Sequence, residues 1–365
     1  MTLQGPRSGA QRPRVVFDMT FPDRNPGGSG HYARSLFSAL RRRDDVEVTE
    51  ISSQPPGVAR TLWWLASGAR TSFRAKQGDL LHCPSFVTPW RVQKSFVVTV
   101  LDLSTRRFPA DHPDEWRAYE RWAVPHRARA AAAVIAISEA TRQDAIREYG
   151  VRPDRVVTIY PGIDPLFFGT GSAETRTARK GEEPRLVFPG APVSRKNLDL
   201  VLRAMAEAPP SSPLGRACLQ ITGAAAGGFP AHRERIAQMG LGRRVEWLGQ
   251  VPAEQMPSVM RSADVCVYPS LYEGFGFPPL EAMAAGTPVV ASTASCLPEI
   301  LGDAALLVDP ADLQAFSTAV QSVLSDPAAR DRMIEAGRKR ARGFTWERCA
   351  EETAALYRDV LARLA

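Results

Sequence analysis

Short apolar runs alternate with amphipathic stretches along the chain. Near-continuous apolar runs are typical of parallel strands that are buried on both faces. In the first half, the predicted strands cover residues 14–19, 46–51, 80–83, 96–101, 134–137 and 156–160. Between them, apolar residues recur at helical spacing, as at Tyr32, Leu36 and Leu40. This alternation predicts a doubly wound α/β domain.

Residues 165–184 interrupt the alternation, because they are rich in Gly, Ser, Thr and charged residues and show no periodicity. A second series follows, with predicted strands at 185–189, 218–222, 245–248, 265–268 and 288–291 and predicted helices at 198–207, 231–239 and 279–285. We therefore predict an N-terminal domain over 1–168, a linker over 169–184, a C-terminal domain over 185–345 and a final helix over 346–365. Open parallel sheets bind ligands beyond the carboxyl ends of their strands, so the predicted site is the cleft between the domains.

The composition is that of a folded globular protein. Of 365 residues, 44% are hydrophobic and 23% are charged, which excludes a disordered chain and a small disulfide scaffold. No run approaches the roughly 18 apolar residues that a membrane span needs, and the polar N-terminal tail has no apolar signal-peptide segment after it. The five cysteines lack metal-ligand spacing and are expected to be buried thiols. We expect a cytoplasmic protein without a metal site.

The charge is unevenly distributed. Residues 1–170 contain 24 basic and 17 acidic side chains, whereas residues 171–365 contain 22 of each, so the surplus of seven positive charges lies in the first half. A basic N-terminal domain favours peripheral contact with an anionic lipid surface, such as the inner face of the membrane, or with a phosphorylated partner. A scattered, solvated surface explains the surplus equally well. The arginine-rich stretches lack interleaved aromatic residues, which argues against nucleic-acid binding.

Two glutamates and two glycines stand close together after a predicted strand, within residues 268–292. Gly274 and Gly276 let backbone amides approach a ligand closely. The two prolines that follow predict a helix start that places Glu281 in the first turn. Glu273 and Glu281, eight positions apart, suit the vicinal hydroxyls of a ribose and a sugar. In the competing interpretation, Glu281 only complements the helix dipole and Glu273 is a solvated turn residue.

This segment resembles the signature of glycosyltransferase family 4, in which seven residues separate the two glutamates. Further segments similar to that family in order and spacing lie at 137–139, 160–164, 195–197, 248–249, 263–264 and 344–346. The resemblance covers almost the whole chain. It implies the GT-B fold, in which two Rossmann-like, doubly wound parallel-sheet domains face a central cleft and the final helix crosses back to the N-terminal domain. It also implies a retaining, mannosyltransferase-like enzyme that moves a sugar from a nucleotide-diphosphate sugar to a hydroxyl of a glycan, glycolipid or small molecule.

Arg195 and Lys196 follow the first predicted strand of the C-terminal domain. Two adjacent cations there can neutralise a diphosphate without a metal ion, although an isolated pair would more often be surface charge. Within the resemblance they match the residues that hold the donor diphosphate and stabilise it as the leaving group. The chain has no Asp-x-Asp, which argues against the metal-dependent architecture of other glycosyltransferases. We therefore expect no metal and no cofactor besides the donor substrate.

The resemblance and the strand ends together assign residues to the cleft. The catalytic candidates are Asp102, Arg195, Lys196 and Glu273. The donor-binding candidates are Gly28, Gly30, Gly190, Arg195, Lys196, Val251, Glu273, Gly274, Phe275, Gly276, Phe277 and Glu281. The acceptor-binding candidates are Gly28, His31, His82 and Asp102. Two of these assignments have an equal alternative: His82 as a packed strand-end residue and Asp102 as a helix-capping or loop residue.

The glycine-rich loop supports a competing function. Gly28, Gly30 and Ala33 fit the G-x-G-x-x-G/A dinucleotide pattern, and Glu50 follows twenty residues after Gly30. This predicts an NAD-dependent oxidoreductase, although about eight residues separate the glycines from a strand that they should follow at once. The family resemblance instead places this loop against the donor phosphate and the acceptor. A catalytically silent sugar-nucleotide binder is a third hypothesis.

Leu101 bears on the identity of the donor sugar. Relatives that this chain resembles usually carry His-Asp where it has Leu101-Asp102, and that histidine lies against the donor sugar, near its 6-hydroxyl in several of them. Leucine cannot donate a hydrogen bond, but contact with a methyl group is worth about 0.8 kcal/mol per buried carbon. We hypothesise a 6-deoxy donor such as a rhamnose- or fucose-type sugar. The alternatives are a mannose-type hexose donor and a slow or inactive protein.

Overall fold

A computed structural model shows two parallel β-sheets, one in each half of the chain. It describes residues 12–24, 27–52, 78–85, 88, 95–169, 183–224 and 229–365. Most of the predicted N-terminal tail and of the predicted linker 169–184 therefore lies outside the described residues. Each sheet has six strands, and every neighbouring pair is parallel. The predicted fold class, two doubly wound α/β domains, is confirmed.

The N-terminal sheet consists of the strands that the apolar runs predict. In chain order these are β1 (Arg14–Asp18), β2 (Glu47–Ile51), β3 (Leu80–Cys83), β4 (Phe96–Val100), β5 (Ala133–Ala136) and β6 (Val156–Thr158). Their order across the sheet is β2-β1-β3-β4-β5-β6. Every residue of β3, β4 and β5 is buried, which explains why these three strands are almost wholly apolar.

In its described residues the N-terminal domain contains the helices α1 (Gly28–Arg41), α2 (Ser104–Arg107), α3 (Asp114–Ala130) and α4 (Glu139–Tyr149). The buried face of α1 contains Tyr32, Leu36 and Leu40, as their spacing predicts. α4 starts at a serine cap, because the hydroxyl of Ser138 accepts a hydrogen bond from the backbone N–H of Thr141.

The C-terminal sheet is also parallel and six-stranded, but its strand order differs from that of the N-terminal sheet. Its strands are β7 (Arg185–Phe188), β8 (Cys218–Thr222), β9 (Val245–Gly249), β10 (Val265–Tyr268), β11 (Val289–Ser292) and β12 (Leu306–Val308). Their order across the sheet is β12-β11-β10-β7-β8-β9. The sequence pattern did not predict β12, because this edge strand has only three residues and all of them are half-buried.

The C-terminal half contains nine helices in its described residues. They are α5 (Leu198–Glu207), α6 (Pro213–Arg216), α7 (Phe229–Gln238), α8 (Met256–Ser262), α9 (Phe277–Ala285), α10 (Leu297–Leu301), α11 (Leu313–Ser325), α12 (Pro327–Ala341) and α13 (Trp346–Ala362). No helix in the described part of the chain combines the length and the apolar character needed to cross a membrane.

Helix α9 begins earlier than the sequence predicts. Gly276, with a φ of 86°, is its N-cap, and both prolines fall within the first turn, where their missing N–H groups cost nothing. Glu281 is consequently the fifth helical residue and lies in the second turn. The prediction that Glu281 belongs to the first turn is wrong.

The last helix, α13, returns to the N-terminal domain. The hydroxyl of Tyr357 lies 2.6 Å from the Nδ1 atom of His82 in β3. At the start of the helix, Gly162 makes the close approach possible, because a Cβ there would lie 2.1 Å from the backbone nitrogen of Trp346. One buried hydrophobic cluster therefore runs through both domains.

Candidate functional site

A cavity of about 1090 Å³ lies between the two sheets. Its walls are the loops that follow β1 and β4 in the N-terminal domain and β7, β9 and β10 in the C-terminal domain. These are carboxyl ends of parallel strands, where open α/β sheets bind ligands. Ligand pockets measure about 300–1,000 Å³, so the volume of this cavity is at the upper end of that range.

The C-terminal wall lies at the switch point of its sheet. From β7 the chain continues through β8 and β9 to one edge, and from β10 it continues through β11 and β12 to the other edge. Arg195 and Lys196 follow β7, and Glu273 follows the neighbouring β10. The topology therefore brings Glu273 next to two adjacent cations that lie more than 70 positions away in sequence.

Glu273 accepts hydrogen bonds from both neighbouring cations. Its Oε1 atom lies 2.9 Å from Nη1 of Arg195 and 2.7 Å from Nζ of Lys196. The hydroxyl of Tyr268 donates to the same oxygen at 3.0 Å, and Lys196 also donates to that hydroxyl. Glu273 and Lys196 are each only 7% exposed, so this cluster is a rigid, largely dehydrated edge of the cavity.

Each charge in this cluster is stabilised by the others. Burial alone would raise the pKa of Glu273, but Lys196 and Arg195 outweigh it and hold that pKa at about 2. Burial lowers the pKa of Lys196, and Glu273 opposes this effect. Burial also disfavours the charged form of Arg195, yet Glu273 and Asp102 raise its pKa overall. One carboxylate against two cations leaves the cluster with a positive charge of about one at neutral pH.

Among the described residues, no group of three or more His, Cys, Asp and Glu side chains is arranged to hold a metal ion.

Hydrogen bonds from residues that do not line the cavity hold the backbone of the loop that carries Glu273. The carbonyl of Glu273 accepts a hydrogen bond from Oγ of Ser295 at 2.6 Å and from Sγ of Cys296 at 3.2 Å. At the start of the loop, Nδ2 of Asn197 donates to the carbonyl of Pro269 at 3.3 Å. The loop is thus preorganised by groups that lie behind it.

Glu281 presents a second acidic group to the cavity from helix α9. Burial raises the pKa of its carboxyl to about 7, and the negative charge of Asp164, which also lines the cavity, adds to the shift. Unlike Glu273, Glu281 changes its charge near neutral pH.

The N-terminal wall combines polar and aromatic groups. Oδ1 of Asp102 accepts a hydrogen bond from the backbone N–H of Ser104 at 2.8 Å, and among the described residues its other oxygen has no partner. The Nε2 atom of His112 is buried without a hydrogen-bond partner in the described part of the chain. Trp116 packs edge-on against Phe21, with ring centroids 5.3 Å apart.

The glycine-rich loop and the start of α1 also line the cavity. The ring of His31 packs edge-on against Phe277 and Trp346, with centroids 5.8 Å away in each case. Burial lowers the pKa of His31, while Asp164 partly opposes that effect. His31 is therefore neutral at pH 7 and places an uncharged imidazole at the cavity wall.

The structure brings most of the predicted site residues to this one cavity. Those that line it are Gly28, His31, Asp102, Arg195, Lys196, Val251, Glu273, Gly274, Phe275, Gly276, Phe277 and Glu281. Three predicted residues, Gly30, His82 and Gly190, do not line it.

His82 is buried in the N-terminal sheet and lies outside the lining of the cavity. Its Nε2 atom lies 2.9 Å from Oγ1 of Thr99, and its Nδ1 atom meets Tyr357 of α13. Burial lowers its pKa to about 3, so the ring stays neutral. Gly30 is buried in the first turn of α1. Gly190 lies behind Lys196, since a Cβ there would sit 3.8 Å from the Cε atom of that lysine.

Several cavity residues were not assigned from the sequence. They are Phe21, His112, Trp116, Asp164, Gln250, Met256 and Tyr268. Tyr268 and Asp164 lie within segments that carried the family resemblance, so their position was available as a signal. The sequence offered no comparable signal for His112 and Trp116.

Comparison with known protein families agrees with this geometry. Residues 30–166 match the family described as Glycosyltransferase Family 4, and residues 173–340 match the family described as Glycosyl transferases group 1. O-antigen chain mannosyltransferase B of Escherichia coli is 29% identical over 283 residues, which cover 76% of this chain and 74% of that protein. In seven further curated relatives the match spans only 53–64% of their own length.

Solved structures share the arrangement of the two sheets. Sucrose-phosphate synthase from Thermosynechococcus elongatus has a TM-score of 0.78 at 24% identity, and the match covers 96% of this chain and 100% of that one. HepE from Anabaena, solved in complex with UDP-glucose, has a TM-score of 0.75 at 19% identity, with 95% and 100% covered. At these identities the comparison establishes the fold.

Proposed function

The chain belongs to glycosyltransferase family 4 and has its GT-B fold, and we propose that it is a retaining, metal-independent enzyme. It transfers a hexosyl or 6-deoxyhexosyl group from a nucleotide-diphosphate sugar to a hydroxyl acceptor. The observation that carries this proposal is the cluster of Arg195, Lys196 and Glu273 at the switch point. Its net positive charge faces the cavity where a diphosphate would leave.

In the proposed reaction, the bond between the sugar C1 and the diphosphate oxygen breaks. The acceptor oxygen forms the new bond to C1 on the same face, so the configuration is retained. The leaving diphosphate takes the proton of the acceptor hydroxyl. Arg195 and Lys196 stabilise the negative charge that develops on the diphosphate, and a preorganised, dehydrated pair does so without reorganising.

Two comparisons support a nucleotide-sugar donor. HepE was solved with UDP-glucose and shares the fold of this chain. The E. coli relative is named a mannosyltransferase, which supports a mannose-type sugar as one candidate donor. The N-terminal wall, where Asp102 keeps one oxygen without a partner among the described residues, is the proposed acceptor side.

An NAD-dependent oxidoreductase is not favoured. The dinucleotide pattern needs its glycines directly after a strand, where the pyrophosphate meets the helix N-terminus. Here β1 ends at Asp18, and Gly30 is buried inside the first turn of α1, outside the cavity lining.

A ligand panel tests the proposed function. Thermal shift and calorimetry are run with UDP-glucose, GDP-mannose, dTDP-rhamnose, NAD and NADP. The proposal expects at least one nucleotide sugar to bind and to be cleaved to a nucleoside diphosphate, with no response to the two nicotinamide dinucleotides. Binding without cleavage would favour the silent binder, and binding of a nicotinamide dinucleotide alone would favour the oxidoreductase.

Replacing Leu101 with histidine tests the hypothesis of a 6-deoxy donor. Leu101 lines the cavity and is 9% exposed, so its apolar side chain is available to a methyl group but offers no hydrogen bond to a 6-hydroxyl. We expect the wild type to prefer the 6-deoxy sugar over its 6-hydroxy counterpart by about 4-fold, for one methyl contact of about 0.8 kcal/mol. Leu101→His should reverse that preference in kcat/KM.

The outcome that contradicts this hypothesis is equally clear. If the wild type prefers the hydroxylated sugar and Leu101→His leaves that preference unchanged, the donor is an ordinary hexose. Leu103→His is not a suitable control, because the backbone N–H of Leu103 donates a hydrogen bond to the hydroxyl of Tyr272 in the C-terminal domain. Leu364→His, at an exposed position near the end of the chain, is the matched control.

Donor affinity should rise with pH through the ionisation of Glu281. The proposed contact is between its carboxylate and the ribose hydroxyls, and its pKa of about 7 means that this carboxylate forms only as the pH rises. Between pH 6 and 8 the ionised fraction grows roughly 10-fold, so calorimetry should show a similar tightening of donor binding. Glu281→Ala should weaken binding about 10- to 100-fold at pH 8.

Glu281→Gln separates charge from shape in this experiment. It should bind the donor weakly and with no pH dependence over this range. Glu207→Gln, at an exposed position on α5, should retain the pH dependence of the wild type. Unchanged affinity in Glu281→Ala would remove this residue from the donor site.

A further inference from the structure

Tyr272 crosses from the loop of Glu273 into the N-terminal domain. It is 4% exposed and does not line the cavity. Its hydroxyl accepts a hydrogen bond from the backbone N–H of Leu103 at 3.1 Å and donates to Oδ2 of Asp144 at 2.9 Å. The hydroxyl therefore accepts one hydrogen bond and donates another, and both partners lie in the N-terminal domain.

The ring of Tyr272 is held by the same group of residues. The guanidinium of Arg107 lies 4.9 Å from the ring centroid, and its Nη2 atom donates to Oδ1 of Asp144 at 2.7 Å. Asp144 is buried and joins the cation above the ring to the hydroxyl at its tip. These contacts fix the orientation of the Tyr272 side chain and how far it extends into the N-terminal domain.

The other end of Tyr272 touches the charged cluster. Its backbone carbonyl accepts a hydrogen bond from Nη1 of Arg195 at 3.2 Å, and the same nitrogen donates to Glu273 at 2.9 Å. On the N-terminal side, Leu103 directly follows Asp102, whose second carboxylate oxygen has no hydrogen-bond partner among the described residues. One residue therefore connects the donor side of the cavity to the strand end that carries Asp102.

We propose that Tyr272 is a positioning residue that holds the Arg195–Glu273 cluster at a fixed distance and orientation relative to Asp102. This relative position governs the rate of donor cleavage. The proposal rests on the proposed function, because it concerns the same cavity. Tyr272 itself touches neither substrate.

Other contacts hold the two domains together without Tyr272. Asp111 of the N-terminal domain accepts hydrogen bonds from the backbone N–H groups of Ser194 and Arg195, at 3.0 and 3.2 Å. Glu299 of the C-terminal domain accepts from the N–H groups of Glu139 and Ala140, at 2.6 and 3.1 Å. Loss of the tyrosine hydroxyl should therefore shift the loop of Glu273 relative to Asp102 and leave the domains docked.

The test compares Tyr272→Phe with Tyr357→Phe. Both remove one buried hydroxyl, but Tyr357 bonds to His82 far from the loop of Glu273. We measure nucleoside diphosphate release from whichever of UDP-glucose, GDP-mannose and dTDP-rhamnose the wild type cleaves, and the Kd of the nucleoside diphosphate. Tyr272→Phe should lower kcat about 10-fold or more and change Kd less than about 2-fold, whereas Tyr357→Phe should retain the wild-type kcat.

Two further readouts separate positioning from a general loss of structure. Amide exchange at Leu103 should accelerate in Tyr272→Phe, while exchange at Glu139 and Ala140 stays as in the wild type. Asp144→Asn should lower kcat as well, and the double variant Asp144→Asn/Tyr272→Phe should be no slower than the worse single variant.

The outcomes are distinguishable. If the wild type cleaves none of the three donors, the proposed function fails. If the wild type cleaves a donor and Tyr272→Phe matches its kcat, or loses kcat and affinity in parallel, the positioning role is wrong. Additive losses in the double variant would also overturn it.

Discussion

Lys196→Met is expected to lower the rate of sugar transfer about 100- to 1,000-fold while donor affinity falls much less. Lys196 lies 2.7 Å from Glu273, and its side chain is 8% exposed. In the proposed reaction, negative charge grows on the diphosphate as the bond to C1 breaks, so a buried cation contributes more to the transition state than to the bound donor. Methionine keeps the apolar stem of the side chain and removes the terminal ammonium group. Glu273 remains paired with Arg195, so the fold should survive.

The matched control is Lys339→Met on helix α12, an exposed lysine that does not line the cavity. It should keep the wild-type rate. Steady-state kinetics and calorimetry with the cleaved donor measure both quantities. A loss of affinity as large as the loss of rate in Lys196→Met would mean that the lysine binds the donor and has no special role in the departure of the diphosphate.

Gly274→Ala is expected to lower activity about 100-fold or more by preventing the two domains from meeting. A Cβ at Gly274 would lie 1.8 Å from the carbonyl oxygen of Leu101 and 2.9 Å from the Cβ of Asp102. Since both obstacles are parts of the main chain or attached directly to it, they cannot rotate away. The loop would have to retreat, and a displacement of about 1 Å can cost about 100-fold in rate.

Gly242→Ala is the control for this substitution, because a Cβ at Gly242 meets no atom within 4 Å. It should leave the rate unchanged. Steady-state kinetics with the cleaved donor measure the loss in Gly274→Ala beside this control. Full activity in that variant would mean that the close contact at Leu101 is not needed for catalysis.

The parts of the fold that follow from local pattern were predictable from the sequence. Strands β3, β8 and β10 and helix α5 begin and end where the apolar runs do, because buried parallel strands leave few polar positions. The meeting of Arg195 with Glu273 was also predictable, since each follows the carboxyl end of a strand and those ends share one edge of the sheet.

The contacts that depend on distant partners were not predictable. Tyr272 lies 169 positions from Leu103 and 128 positions from Asp144 in sequence. Nothing in the local sequence distinguishes a tyrosine that contacts the other domain from an ordinary loop tyrosine. The burial of His82 away from the cavity was not predictable for the same reason. Its strand-end position suits a cleft residue, but α13, from the far end of the chain, covers it.

Metal-free stabilisation of the leaving diphosphate is tested by measuring nucleoside diphosphate release from UDP-glucose, GDP-mannose and dTDP-rhamnose in the presence of excess EDTA, with Lys196→Met beside the wild type. If Arg195 and Lys196 stabilise the leaving diphosphate, the wild type cleaves one of these donors at the same rate with and without EDTA, and Lys196→Met is about 100- to 1,000-fold slower. Abolition by EDTA with recovery on adding Mg²⁺ or Mn²⁺, or an undiminished rate in Lys196→Met, would contradict it.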